Sequence, residues 1–205
     1  MSASHLADAH CHLNMPEYAA DQTQIIAQAR QEGVELIINI GISVKNSREA
    51  IATAERYAWI FATAGVHPHG AGTVRETDLA AIAELLSHPR VVALGEIGLD
   101  FYRQRAPAPV QEEVFRRFLD LAVTHRKPVI IHTREATDTT LRILREYRQT
   151  LPGGVMHCFS GDYQEAREFL DLGLDISFSG TLTYPNARPL QDAARRLPLE
   201  RLLIE

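Results

Sequence analysis

The sequence predicts an α/β fold, a TIM-type (β/α)8 barrel, and three observations carry that expectation. Eight short β-type segments alternate with segments whose apolar residues recur at helical spacing. The second of them, Leu36-Ile37-Ile38-Asn39-Ile40, is nearly all apolar, as a strand covered on both faces is. An open doubly wound sheet would usually carry a glycine-rich phosphate turn after strand one. That place holds Asp8-Ala9-His10-Cys11-His12 instead.

The elements are expected in this order. Strand one covers about Leu6 to His10, and a helix near Asp21 to Glu32 follows, with Ile25, Ile26 and Ala29 on one face and Gly33 ending it. Ser43 suits the N-cap of a helix running to about Tyr57. Strand three spans Trp59 to Gly65, and a helix with Leu79, Ile82, Leu85 and Leu86 leads to strand four at Val91-Val92-Ala93-Leu94. A long helix then runs to about His125. Strand five is Pro128 to His132, with a helix from about Glu135 to Arg148. Strand six is Gly154 to His157, with a helix that stops at Gly173. Strand seven is Leu174 to Ser179, a short helix lies near Leu190 to Leu197, and Leu202-Leu203-Ile204 starts strand eight. A complete barrel typically takes ~250 residues. The expectation is therefore one barrel domain over 1–205, its last strand incomplete and its final helix absent.

The net charge of −5 excludes a protein that coats long duplex by bulk charge, though not an enzyme that grips one or two phosphates locally. The two cysteines, Cys11 and Cys158, imply no disulfide framework. Each is expected to pack outward beside its histidine, as a small apolar residue in a reducing cytoplasm. The N-terminus has no basic region followed by an apolar run, and no stretch is long and apolar enough to span a membrane.

The strand ends carry the chemistry. Side chains alternate along a strand, so His10 and His12 point one way and Cys11 the other. Glu96 follows strand four, and His132 and His157 end strands five and six. In a barrel such ends converge on one rim. Four imidazoles and a carboxylate exceed what one catalytic zinc takes. Two divalent metal ions (Zn, Mg or Mn) are the economical reading, with His10 and His12 on one, His132 and His157 on the other, and Glu96 bridging. Asp8 is expected to support His10 from behind. Glu205 falls one or two positions short of where a strand-eight acid would complete the set, and is assigned a supporting place. Arg134 is expected to grip a phosphate, its alternative being a salt bridge at the helix start. His67 is open between positioning a substrate phosphate and serving its turn, and Tyr102 lies on a loop that could reach the mouth. His5, His88 and His125 fall away from these strand ends and are expected on the surface.

These segments resemble the TatD family of metal-dependent deoxyribonucleases over essentially the whole chain. The carriers are Asp8-Ala9-His10-Cys11-His12-Leu13, Gly65-Val66-His67-Pro68-His69, Gly95-Glu96-Ile97-Gly98-Leu99-Asp100-Phe101-Tyr102, Ile131-His132-Thr133-Arg134, Met156-His157-Cys158-Phe159-Ser160-Gly161 and Leu202-Leu203-Ile204-Glu205. The resemblance implies the same metal ligands, with Glu96, His132 and His157 catalytic. It implies hydrolysis of DNA phosphodiester bonds through water activated by two metals, in some members as a 3′-to-5′ exonuclease. The expected partner is DNA, single-stranded or at 3′ ends, acted on by a monomer. The family's last strand continues from Ile-Glu into Thr-Asp, whose Asp is a metal ligand; this chain ends before it. Two rivals stand beside this reading. One is amidohydrolase-type cleavage of a non-phosphate bond, in barrels that often bridge two metals with a carboxylated lysine; Lys45 and Lys127, the only lysines, are not placed to bridge. The other is a chain that binds metal and nucleic acid without turnover.

Overall fold

The computed structural model describes residues 5–205, and it is a nearly closed parallel barrel. The elements are β1 (Leu6–Cys11), α1 (Gln22–Gln31), β2 (Val34–Asn39), α2 (Val44–Arg56), β3 (Ile60–Ala64), α3 (Glu76–Leu85), β4 (Val91–Asp100) and α4 (Ala108–His125). They continue as β5 (Val129–Arg134), α5 (Thr137–Glu146), β6 (Gly154–Met156), α6 (Tyr163–Asp171), β7 (Leu174–Phe178), α7 (Arg188–Arg196) and β8 (Leu202–Ile204). Each strand pairs in parallel with the next, from β1 to β8. β8 lies alongside β1, which brings the sheet round on itself. Among the described residues no helix is long and apolar enough to cross a membrane.

Local chemistry explains the helix starts. The Ser43 hydroxyl caps α2 by accepting from the backbone N–H of Asn46 at 3.1 Å. Asp162 caps α6 through Gln164 and Glu165, and Glu165 returns the bond to the Asp162 N–H, a reciprocal capping box. The helices then bury one stripe each against the strands. On α4 the stripe is Phe115, Phe118, Leu119 and Ala122, at three- and four-residue spacing and essentially without exposure.

Two expectations are corrected. Strand four does not stop at Leu94 but runs to Asp100, through the two glycines of Gly95-Glu96-Ile97-Gly98. Its register with β5 slips between Leu94 and Ile97, three residues against two, which absorbs one residue at Gly95-Glu96. Cys158 is not on a strand: it lies past β6 at φ 45°, and its thiol is 3.1 Å from the Ser179 hydroxyl.

The helix layer is testable. Phe118→Ala removes a fully buried ring. Urea denaturation should show a loss of about 3–5 kcal/mol with little change in m; a loss below about 1 kcal/mol would contradict the packing described.

Candidate active site

Glu96 is 2% exposed and sits at the centre of a ring of imidazoles. Its two oxygens face different sets. Oε2 lies 3.5 Å from His10 Nε2 and 3.8 Å from His12 Nε2, and those two nitrogens are 3.2 Å apart. Oε1 lies 3.0 Å from His157 Nε2, 3.1 Å from His132 Nδ1 and 3.3 Å from His67 Nε2. The rings of His10 and His157 stack at 3.8 Å between centroids, so β1 and β6 meet across the barrel. A cleft of about 540 Å³ opens over the cluster, lined also by His69, Arg134, Cys158 and Thr181.

The ionisation of the cluster follows from this packing. Burial works to raise the Glu96 carboxyl, but the His157 charge and hydrogen bonds from His10, His132 and His157 outweigh it and hold it well below the usual carboxylate range. Burial works to lower His157, and Glu96 with Glu205 reverses this and lifts it to about 10. Burial and the neighbouring His10 push His12 down to about 4. Burial raises Asp8, against the His10 backbone bond that works to lower it.

Divalent cations fit this donor set. Nitrogen and oxygen ligands at 2.0–2.2 Å from a tetrahedral ion stand ~3.3–3.6 Å from one another, close to the 3.0–3.8 Å spacings around Glu96. Three overlapping groups have metal-holding geometry: His10, His12 and Glu96; His67, Glu96 and His132; and His10, His157 and Glu205. On the Glu205 side of the cluster, Nδ1 of His10 and Oε1 of Glu205 are buried without a hydrogen-bond partner. Orphaned polar atoms of this kind mark a place where a ligand belongs.

The structure thus gathers His10, His12, Glu96, His132 and His157. It also places the other candidates. Glu205 turns into the cluster, its Oε2 3.3 Å from His157 Nδ1 and 3.9 Å from His10 Nδ1. His67 reaches Glu96 itself rather than only the mouth. Asp8 accepts from the backbone N–H of His10 at 3.0 Å, so the bond it makes is to the strand and not to the ring. Arg134 forms no salt bridge among the described residues; its guanidinium lies over the half-exposed Tyr102 ring, 3.9 Å from the centroid. Cys158, expected to face away, borders the cleft. His5 and His88 pair with Glu35 and Glu55 away from it.

Asp100 and His69 lie within segments that carry the resemblance, but neither is among the site residues expected from the sequence. Asp100 is 1% exposed, and its Oδ2 lies 2.8 Å from His69 Nε2 and 3.3 Å from His132 Nε2. The Arg103 N–H donates to its other oxygen at 2.7 Å. The buried Gln111 side chain of α4 clamps the Asp100 backbone on both sides, accepting from its N–H at 2.8 Å and donating to its carbonyl at 3.0 Å. The signal is present in the two-residue spacing Glu96-x-Gly98-x-Asp100, which keeps all three on one face once strand four is extended.

This geometry agrees with what the chain is similar to. The sequence matches the family model described as TatD related DNase over residues 7–205. The chain belongs to the TatD family. The metal-dependent hydrolase YabD of Bacillus subtilis, named as uncharacterized, is 40% identical over 98% of this chain and 78% of its own length. The 3′-5′ ssDNA/RNA exonuclease TatD of Cronobacter turicensis is 38% identical over 97% of this chain and 76% of its own. The crystal structure of YJJV, a TatD homologue from Escherichia coli, superposes with a TM-score of 0.92 at 33% identity, over 98% of this chain and 78% of that one. TatD membership makes this chain one of a family of metal-dependent hydrolases.

The Asp100 contacts give a direct test. Asp100→Asn should lower affinity for Zn or Mn by about 10–100-fold, as loss of a carboxylate behind a ligand histidine does. Competition with a chromophoric chelator measures it, with circular dichroism confirming the fold. Wild-type affinity in a folded variant would show that Asp100 does not orient His132.

Proposed function

We propose that the chain is a two-metal phosphodiesterase that acts on single-stranded DNA and removes nucleotides from the 3′ end. The observation that supports it best is the split of the Glu96 carboxylate between two histidine sets. In this reading His10, His12 and Glu96 hold one divalent cation, and Glu96, His132 and His157 hold the other. His67 lies close enough to join Glu96 and His132, and Glu205 close enough to join His10 and His157. Bound divalent cations supply Lewis acidity and bring the ionisation of water down toward neutral pH.

The chain's own residues do the rest. Glu96 stays ionised at neutral pH and keeps both oxygens available. Asp100 fixes the His132 ring with Nδ1 toward Glu96 and Nε2 toward itself. Arg134, stacked over the Tyr102 ring, presents a planar guanidinium donor at the mouth, suited to a phosphate next to the one being cut. The nuclease reading draws on the relative named as a 3′-5′ ssDNA/RNA exonuclease. It draws as well on the position of the lysines. Lys127 donates to the Val91 carbonyl, at the start of β4, and Lys45 stands on the outer surface, so neither reaches the cluster to bridge metals as in the amidohydrolase alternative. The two cysteines are free thiols, consistent with a cytoplasmic setting.

The test uses 5′-labelled single-stranded DNA with Mg, Mn or Zn. The expected product is a ladder shortened from the 3′ end, abolished by chelation and restored on adding metal. His132→Ala combined with Glu96→Gln should reduce cleavage to background. Cleavage that survives both changes would assign the activity to another site.

A further inference from the structure

A second cleft, of about 670 Å³, lies beside the mouth, and Ile42 lines both. The ridge between them is tied together by the His67 N–H, which donates to the Ile42 carbonyl at 3.1 Å. Val66 and Val74 supply further apolar wall, and Lys45, Arg48 and Arg75 stand around it with a single carboxylate, Asp78. The cations come from two segments, Lys45 and Arg48 from the start of α2 and Arg75 from the residue before α3. Among the described residues Arg48 pairs with no carboxylate. Lys45 lies 3.8 Å from Glu49 and Arg75 3.5 Å from Asp78, both in exposed pairs. Such pairs are weak, so the charges remain available to a ligand. In a chain of net charge −5, three cations against Asp78 in the wall and Glu49 beside Lys45 leave a local excess of positive charge. An apolar floor under a cationic rim matches a nucleotide unit, with its apolar sugar and base faces and its anionic phosphates.

We propose that this cleft is a second binding subsite, which takes the sugar-phosphate backbone flanking the phosphate held at the Glu96 cluster. The inference rests on the phosphodiesterase reading and deepens it: the substrate is a polynucleotide strand that continues past the mouth over Ile42, not a mononucleotide or small diester. Contacts to phosphates carry no base sequence, so DNA and RNA strands present the same chemistry to Lys45, Arg48 and Arg75.

The experiment measures binding of the full chain in EDTA to labelled single strands of two and ten nucleotides, as DNA and as RNA, by fluorescence anisotropy over a range of KCl. For the ten-nucleotide strand, the triple variant K45A/R48A/R75A should flatten the log–log salt dependence by about 2, near 0.7 for each phosphate no longer neutralised. For the two-nucleotide strand the slope should barely move. The charge-preserving variant K45R/R48K/R75K should keep the wild-type slope. Should the triple variant misfold by circular dichroism, R48A alone should flatten the slope by about 0.7. Flattening on either polymer supports the subsite and names the polymer; wild-type slopes on both overturn it. Metal-dependent cleavage of the ten-nucleotide strand by the wild type is scored separately, since its absence sinks the phosphodiesterase reading whatever the slopes show.

Discussion

The buried carboxylate of Glu96 is the constraint on which the rest of the site depends. Removing a carboxylate from water costs several kcal/mol unless charges and hydrogen bonds replace the solvent. Here the replacement comes from imidazoles on β1, β5 and the segments that follow β1, β3 and β6. Those elements are far apart along the sheet order, and β1 and β6 have four strands between them. In an open sheet His10 and His157 would lie well apart. The rolled sheet instead stacks their rings 3.8 Å apart. Closure of the barrel and ionisation of Glu96 are therefore one arrangement seen at two scales.

His132 occupies a special place within it. Its Cα pairs with Gly98 on β4, so its ring lies between the Glu96 and Asp100 side chains and touches both. That is possible because the position opposite carries no side chain. A Cβ on Gly98, whose φ is +136°, would stand 2.0 Å from the His132 carbonyl oxygen. The glycine thus permits close approach of the two strands, and the carboxylates on either side set which nitrogen faces inward. Gln111 extends the same logic outward, because α4 holds the end of β4 through the Asp100 backbone. Helix packing, strand register and ligand orientation are linked through one residue.

The order of strands and helices is legible because parallel strands covered on both faces read as apolar runs, and the helices between them keep their periodicity. The gathering of His10, His12, Glu96, His132 and His157 is legible for a related reason: each closes or follows such a run, and a barrel brings those ends to one rim. The extension of β4 is not. A strand holding two glycines and two carboxylates in its last six residues lacks the side chains that announce a strand, and only its pairing with β5 defines it. Asp100 is hidden with it. His67 lies three residues beyond β3, and its reach to Glu96 depends on a loop path that periodicity does not encode. Cys158 misleads because alternation does not carry past the end of β6, where the chain adopts a left-handed turn instead.

The distribution of charge bears on how a nucleic-acid substrate would be selected. A chain of net charge −5 is repelled by the dense phosphate array of a duplex at long range. Arg134 stands at the mouth on one side, and Lys45, Arg48 and Arg75 lie beyond Ile42 on the other. The Glu96 side chain is 3% and the His157 side chain 12% exposed, while His12, at 31%, borders the cleft. In the proposed reading, a rigid duplex, which carries its phosphates on the outside of a wide cylinder, would not lower one to the depth of Glu96. A single strand or a frayed end bends, and it meets the few cations one phosphate at a time. In the proposed nuclease reading, the depth of Glu96 and the few cations near it would together favour strand ends over intact helix.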